Sequence, residues 1–255
     1  MNSNKLLSIL GRMFPHRLSR DWNDFSGLMC GKKPNEINRI FICLDFDQSI
    51  YDEVIKFKPD VIFTHHPFIY GKRKEVLAND EEKRKLVEKL EANNLPVYSF
   101  HINFDDAKDG MNRALAEKLE LKDIYYPNEL PCLKIGYLDK EMDVNEFASF
   151  AKEKLDVSYG LLINEGKKKV KKIGIVGGAG SGFYKEAMKN DCDIYISGDV
   201  PHHIRRAITL DKFNYLDLPH EIEKIFIPTM KNILLNIDKK FVIKTIDHEK
   251  LPKVI

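Results

Sequence analysis

Cysteine is scarce and unpaired in this sequence: Cys30, Cys43, Cys132 and Cys192 are the four, and no C-x-x-C spacing occurs among them. That excludes a disulfide framework and a sulfur-rich zinc site, and makes a reducing compartment, the cytoplasm, the expectation. An excess of charge of one sign is also lacking. Lys and Arg number 41 against 39 Asp and Glu, a formal +2, so no global field argues for nucleic acid or an anionic membrane as partner. No apolar run approaches membrane-spanning length. The N-terminal Lys5-Leu6-Leu7-Ser8-Ile9-Leu10 is too short for a signal-peptide core, and Arg12 and His16 follow it in place of a small-residue cleavage site. Repeats of solenoid period and low-complexity tracts are missing too. What remains is a chain of 255 residues, long enough for one large α/β domain or two smaller ones, with a small molecule as the expected partner.

Short β-branched runs alternate with charged segments of helical period, the pattern of β-α units over a largely parallel sheet. Strands are expected at 40–44, 61–63 and 96–100, with helices at 49–57, 81–93 and 111–119. A second half opens near residue 129, with strands at 133–138, 160–163, 173–176, 194–196 and 213–216 and a helix over 144–155. The basic run Lys167 to Lys172 reads as a solvated hairpin or loop. A last helix over 220–236, kinked at Pro228, precedes a strand at 241–246 that must pair with a sheet edge. The expected division is therefore 1–128 with 232–255, carrying His65, His66 and Asp105, against 129–231, carrying His220 and Glu223.

Ligand groups in parallel α/β sheets gather beyond the carboxyl ends of strands, and the unusual polar residues sit there. Asp45 follows the first strand, His65-His66-Pro67 the second, and His101 with Asp105 the third. In the second half Gly177 to Gly182, Gly198-Asp199 and His220 with Glu223 do the same. Successive strand residues face opposite ways, so His65 and His66 can serve one site only if the chain leaves the pleat, which Pro67 favours. His220 and Glu223, at i and i+3 on a helix, share a face. Imidazole with carboxylate suits zinc, iron(II) or manganese, and a carboxylate among histidines can bridge two ions. Each motif also has a plainer explanation: a hydrogen-bonded loop at His65-His66, a helix cap by Asp105, Asp106 or Asp199, a satisfied core histidine at His101. Their joint recurrence at strand ends favours the metal. The glycine run reads as backbone clearance near the cleft, with substrate binding through its bare amides as the alternative, and Asp199 with His203 are expected to face it.

Together His65-His66-Pro67, His101-x-Asn103-x-Asp105 with Gly110-Met111-Asn112, Gly177-Gly178-Ala179-Gly180, Gly198-Asp199 and His220-x-x-Glu223 resemble the GTP cyclohydrolase I type 2 homologue family. Trp22-Asn23-Asp24-Phe25-Ser26-Gly27-Leu28 is similar to that family's W-D-N stretch with Asn and Asp exchanged, a stretch expected to touch no ligand. Pro219 stands where a glycine usually precedes the histidine, so the backbone entering His220 is expected to differ. The resemblance implies two interlinked α/β domains with mixed, largely parallel sheets, assembled as a hexameric ring. It implies that His65, His66, Asp105, His220 and Glu223 hold two divalent metal ions per chain, Asp105 bridging. His101 would stand behind the ligands or touch substrate; His203, from its own position at the strand-end turn and not from the resemblance, is expected to share the catalytic work. The implied activity is metal-dependent hydrolysis, with opening of a purine nucleotide ring suggested by the family name. The competing expectation is a metal-binding scaffold or regulator. A dinucleotide-binding oxidoreductase fails for want of a G-x-G-x-x-G fingerprint.

Overall fold

The computed structural model of the protein describes residues 1–19, 24–253 and 255. Trp22 and Asn23 lie outside the described residues. In chain order the described strands are β1 (Gly27–Cys30), β2 (Arg39–Cys43), β3 (Val61–Thr64), β4 (Val97–Ser99), β5 (Lys122–Tyr125), β6 (Lys134–Asp143), β7 (Leu161–Asn164), β8 (Lys169–Ile175), β9 (Ile194–Ser197), β10 (Asn214–Asp217) and β11 (Val242–Thr245). The helices are α1 (Ser3–Met13), α2 (Tyr51–Phe57), α3 (Arg73–Asn79), α4 (Glu81–Ala92), α5 (Ile102–Asp105), α6 (Met111–Lys118), α7 (Val144–Lys154), α8 (Tyr184–Lys189), α9 (His202–Leu210) and α10 (Phe226–Ile237). Among the described residues no helix is long and apolar enough to cross a membrane.

The fold is α/β, and the chain divides into two units. One comprises Met1–Ala107 and Phe226–Glu249, the other Lys108–Ile225 and Lys250–Ile255. The first break thus falls after Ala107 and not at 129, because α6 packs on β5, β6 and β8 of the second sheet. The return falls at Phe226 and not at 232, because the whole of α10 packs against β2 and β11.

In the first unit the strand order is β1-β4-β3-β2-β11. β11, β2, β3 and β4 run parallel and β1 closes the β4 edge antiparallel. The central strands read as continuous apolar runs because helices cover them. Phe41, Ile62 and Val97 pack against Leu86, Val87 and Leu90 of α4. That helix starts where Asp80 accepts the Lys83 N–H, a side-chain cap for one orphan donor. Pairing register aligns the strand ends. Cys43 lies beside Thr64, and Thr64 beside Ser99, so the three parallel strands end level. At their other end the Asp60 carboxylate accepts the N–H groups of Asn38 (2.7 Å) and Arg39 (2.8 Å).

The second sheet, β5-β6-β8-β9-β10-β7, is mixed. β8, β9 and β10 are parallel, whereas β5, β6 and β7 attach antiparallel. The basic run is not a free loop. Its residues from Lys169 onward form β8: Val170 is buried between the exposed Lys169 and Lys171, as a strand's period of two allows, and from Ile173 to Ile175 the strand is buried on both faces. Here too the parallel trio ends level, Ile175 beside Ile196 and Ser197 beside Asp217. Asp193 repeats the clamp of Asp60, accepting from the N–H groups of Lys171 (2.9 Å) and Lys172 (2.8 Å).

The expected helix over 220–236 is two elements. His220–Ile225 is a 3-10 turn and α10 starts at Phe226. Pro228 sits in the first turn of α10, where its missing N–H has no intrahelical acceptor to lose, so it begins the helix and does not kink it.

Phe104, fully buried, packs its ring 4.7 Å from that of Phe14 and 5.1 Å from that of Phe226. Phe104→Ala is expected to cost about 3–5 kcal/mol, read as a lowered urea midpoint for the first unit. An unchanged midpoint would contradict the packing described.

Candidate metal centre

Level strand ends bring the exit residues of the first unit side by side. The chain leaves the pleat at His65. The N–H groups of His65 (3.0 Å) and His66 (3.3 Å) both donate to Leu44 O, which consecutive residues of a regular strand cannot do. Thr64 fastens this turn by donating from its hydroxyl to His66 O at 2.9 Å. As a result both imidazoles lie on one side, ring centres 5.0 Å apart, with His101 5.3 Å from His65 and 5.9 Å from His66. Each of the three offers a ring nitrogen within 4.8 Å of the others'.

How the rings are held says which nitrogen is offered. His65 Nδ1 is 2.7 Å from the Phe100 carbonyl. A carbonyl only accepts, so Nδ1 carries the proton and Nε2 the lone pair of the neutral ring. His66 Nδ1 meets Asp45 Oδ2 at 2.7 Å, and His101 Nδ1 meets Asp24 Oδ1 at 2.6 Å. Burial pushes the Asp45 carboxyl up, but the hydrogen bond and charge of His66 outweigh it and hold it below its ordinary value. Asp24 is balanced the same way, burial against His101, with the net shift downward. Both carboxylates are therefore ionised acceptors that keep Nδ1 protonated and Nε2 presented. Across from them, Asp105 Oδ1 stands 3.6 Å from the fully buried His65 Nε2. Two acceptors face each other there, a pairing that a cation or proton between them relieves.

The second unit builds a smaller group on the same plan. β10 ends at Asp217, and Pro219 opens the 3-10 turn, its carbonyl accepting the Ile222 N–H at 3.1 Å. In a 3-10 helix i and i+3 eclipse, which sets His220 Nε2 3.0 Å from Glu223 Oε2. Proline in place of glycine thus leaves His220 able to reach its neighbours. Asp199, at φ 53° just after β9, holds His220 Nδ1 at 2.5 Å. It does not cap α9, which Pro201 precedes without a side-chain bond. Burial lowers the His220 pKa, yet Glu223 and Asp199 together raise it from the usual 6.5 to about 9.

The glycine run makes room for this pair. A Cβ on Gly178 would collide with Glu223 Oε1 and come within 3.1 Å of His220 Cε1, and φ there is +59°. Gly177 N–H donates to Asn112 Oδ1 at 2.7 Å. Gly178 O accepts from Gly198 N–H at 2.7 Å and from the Ser197 hydroxyl at 2.9 Å. Backbone clearance, as the sequence suggested, is the role of these glycines.

Of the expected site residues, His65, His66, His101 and Asp105 meet in the first unit, and His220 meets Glu223 in the second. His203 lies exposed in the first turn of α9 and belongs to neither group. Asp24 is the residue that sequence reasoning passed over: no role was assigned to it, and it orients His101. These donors fit a divalent cation. In each group the imidazoles have Nδ1 secured by a carboxylate or carbonyl, the arrangement that fixes ring orientation and basicity in histidine-rich metal sites.

Residues 1–252 match the model of the family described as Duf34/NIF3 (NGG1p interacting factor 3). The chain belongs to that family. It is 28% identical over 226 residues to the "GTP cyclohydrolase 1 type 2 homolog" of Clostridium perfringens, covering 86% of each chain. To the protein of the same name in Campylobacter jejuni it is 26% identical over 251 residues, 95% of this chain and 96% of the other. The crystal structure of a Bacillus cereus protein related to NIF3 superposes with a TM-score of 0.86 at 21% identity, over 100% of this chain and 99% of that one. The resemblance drawn from the strand-end motifs and the α/β fold are both borne out.

Gly178→Ala adds a side chain where φ is positive and Glu223 is already in place. Strain of about 1–2 kcal/mol is expected, together with displacement of Glu223 and weaker metal uptake in calorimetric titration. Uptake equal to wild type would show that Glu223 is not needed. In chelated protein the raised His220 pKa contributes stability that is full below about 6.5 and is lost as pH rises through about 9. Melting curves of wild type and His220→Gln should therefore converge between those values. A gap that widens with pH would contradict the assignment.

Proposed function

We propose that this protein is a metal-dependent hydrolase whose two divalent ions, zinc, iron or manganese, are held by His65, His66, Asp105, His220 and Glu223. His101 completes the first cluster. The observation that carries this reading is the set of imidazoles anchored through Nδ1, each presenting Nε2. Buried structural histidines need no such common orientation, whereas ligands do. Bound divalent cations supply Lewis acidity, which acidifies a water and polarises the group it attacks.

The chain's own residues do the rest. Within the first unit Asp24, Asp45 and the Phe100 carbonyl keep Nδ1 protonated in His101, His66 and His65, and within the second Asp199 holds Nδ1 of His220, so each ring is aimed through Nε2 without reorganisation. His220, cationic below about pH 9 in the absence of metal, has to release its proton before it ligates. Hydrolysis of a purine nucleotide is the specific form of the reading and rests on the name that the relatives carry. Assembly as a homohexamer is carried over from the resemblance in the same way.

One observation favours a second reading, a metal-binding scaffold or regulator without catalysis. Arg205, the arginine near His220, already donates from Nη2 to Asp217 Oδ2 at 2.9 Å, and Lys167 is bonded to Asp193. A triphosphate would compete with these carboxylates.

Elemental analysis of purified protein should return about two divalent ions per chain, the number of a two-metal centre, and Asp105→Asn should lose most of them. Metal-free wild type would remove the proposal. With metal present, turnover of GTP or of other phosphorylated cyclic amides that His66→Ala abolishes supports the hydrolase. Inertness across that panel supports the scaffold.

A further inference from the structure

Beside His220 in the second unit lies a cavity of about 370 Å³ that the ligand set does not use. Leu161, Val200, Leu218 and Pro219 give it apolar walls, and Tyr159 adds an aromatic ring. Its charged groups are lopsided. Asp199, Asp217 and Glu221 face it with Arg205 and His220 as cations; Arg205 is bonded to Asp217 and His220 to Asp199, which leaves Glu221 as the excess negative charge. Burial raises the Asp217 carboxyl, Arg205 lowers it and Asp199 raises it again, so these groups are close enough to feel one another. A phosphate placed here would meet three carboxylates and an arginine that is already engaged. A flat group carrying several N–H donors would meet apolar walls and acceptors, the combination that small-molecule sites use for orientation.

We propose that this cavity is a subsite for an uncharged or cationic N–H-rich group of amidine or guanidine type, bound through Asp217 and Glu221. Placing it in the substrate of the hydrolase rests on the function proposed above. The subsite itself rests on the second unit alone. The nitrogen-rich end of the substrate, and not any phosphate, then enters beside His220. Glu221 matches the N–C–N geometry of such groups with two parallel charge-assisted hydrogen bonds, Asp217, already bonded to Arg205, adds negative charge beside it, and the walls accept the ring face. Leu161, exposed on the edge strand β7, gives the ring a surface at the cavity's outer side.

Benzamidine and benzoate share a ring and differ in the sign of the head group, which makes them the probes. Binding is measured by calorimetry or ligand-detected NMR on full-length protein with chelator, so the metal reading and the subsite fail separately. Benzamidine is expected to bind about tenfold or more tighter than benzoate. Asp217→Asn and Glu221→Gln should each reduce benzamidine binding several-fold with little effect on benzoate. Should Asp217→Asn fail to fold once Arg205 loses its partner, Glu221→Gln decides. Guanosine binding more tightly than GTP under the same conditions would extend the result to a nucleoside. Benzoate equal to or better than benzamidine, or benzamidine binding unchanged in the folded variants, would overturn the proposal.

Discussion

Parallel strands that end level with one another are the constraint on which the polar chemistry of each unit depends. Cys43, Thr64 and Ser99 stand abreast in the first sheet, and Ser197 and Asp217 in the second. Residues one or two positions past a strand end then emerge as neighbours, however far apart they are in sequence. Helices covering the sheet faces leave the strand ends as the place where polar groups collect without displacing core. The same geometry recurs with different residues: three histidines and an aspartate in one unit, one histidine and a glutamate in the other.

Level ends alone would give loose side chains. What sharpens the site is a second set of acceptors. Asp24, Asp45 and Asp199 are the carboxylates on Nδ1, and Phe100 lends a backbone carbonyl. Losing such a partner commonly costs 10–100-fold in metal affinity, roughly 1.4–2.7 kcal/mol, comparable to the burial of about two or three methylene groups. Orientation is therefore as much a part of the site as ligation. The glycines at 177 and 178 contribute by absence, since any Cβ at Gly178 would occupy the space of Glu223.

Much of this was legible in the sequence. Asp45, His65, His66, His101, Asp199 and His220 could be placed because strand exits are readable from β-branched runs that stop at polar residues. Asp24 could not, because its partner His101 is 77 residues away and nothing local in the chain signals a long-range hydrogen bond. The first half of β8, before the expected strand at 173, was hidden by its lysines: charge on the solvent face of a strand looks like a loop until Val170 is seen buried between Lys169 and Lys171. The unit boundaries at 107 and 226 were missed for a related reason. Which sheet α6 and α10 pack on is a tertiary fact, and both helices carry an apolar stripe that would suit either.

The paired amide clamps of Asp60 and Asp193 lie at the opposite end of the strands from the histidines. Each ties the residue entering one strand to two backbone amides in or just before the neighbouring strand, and so acts as a datum from which the far end is measured. Sliding one strand by a single residue would move its exit about 3.3 Å and turn its side chains to the other face, whereas coordination bonds tolerate only about 0.2 Å. Two carboxylates remote from the chemistry thus act as its alignment gauge, and wear at that end would be felt as lost affinity at the other.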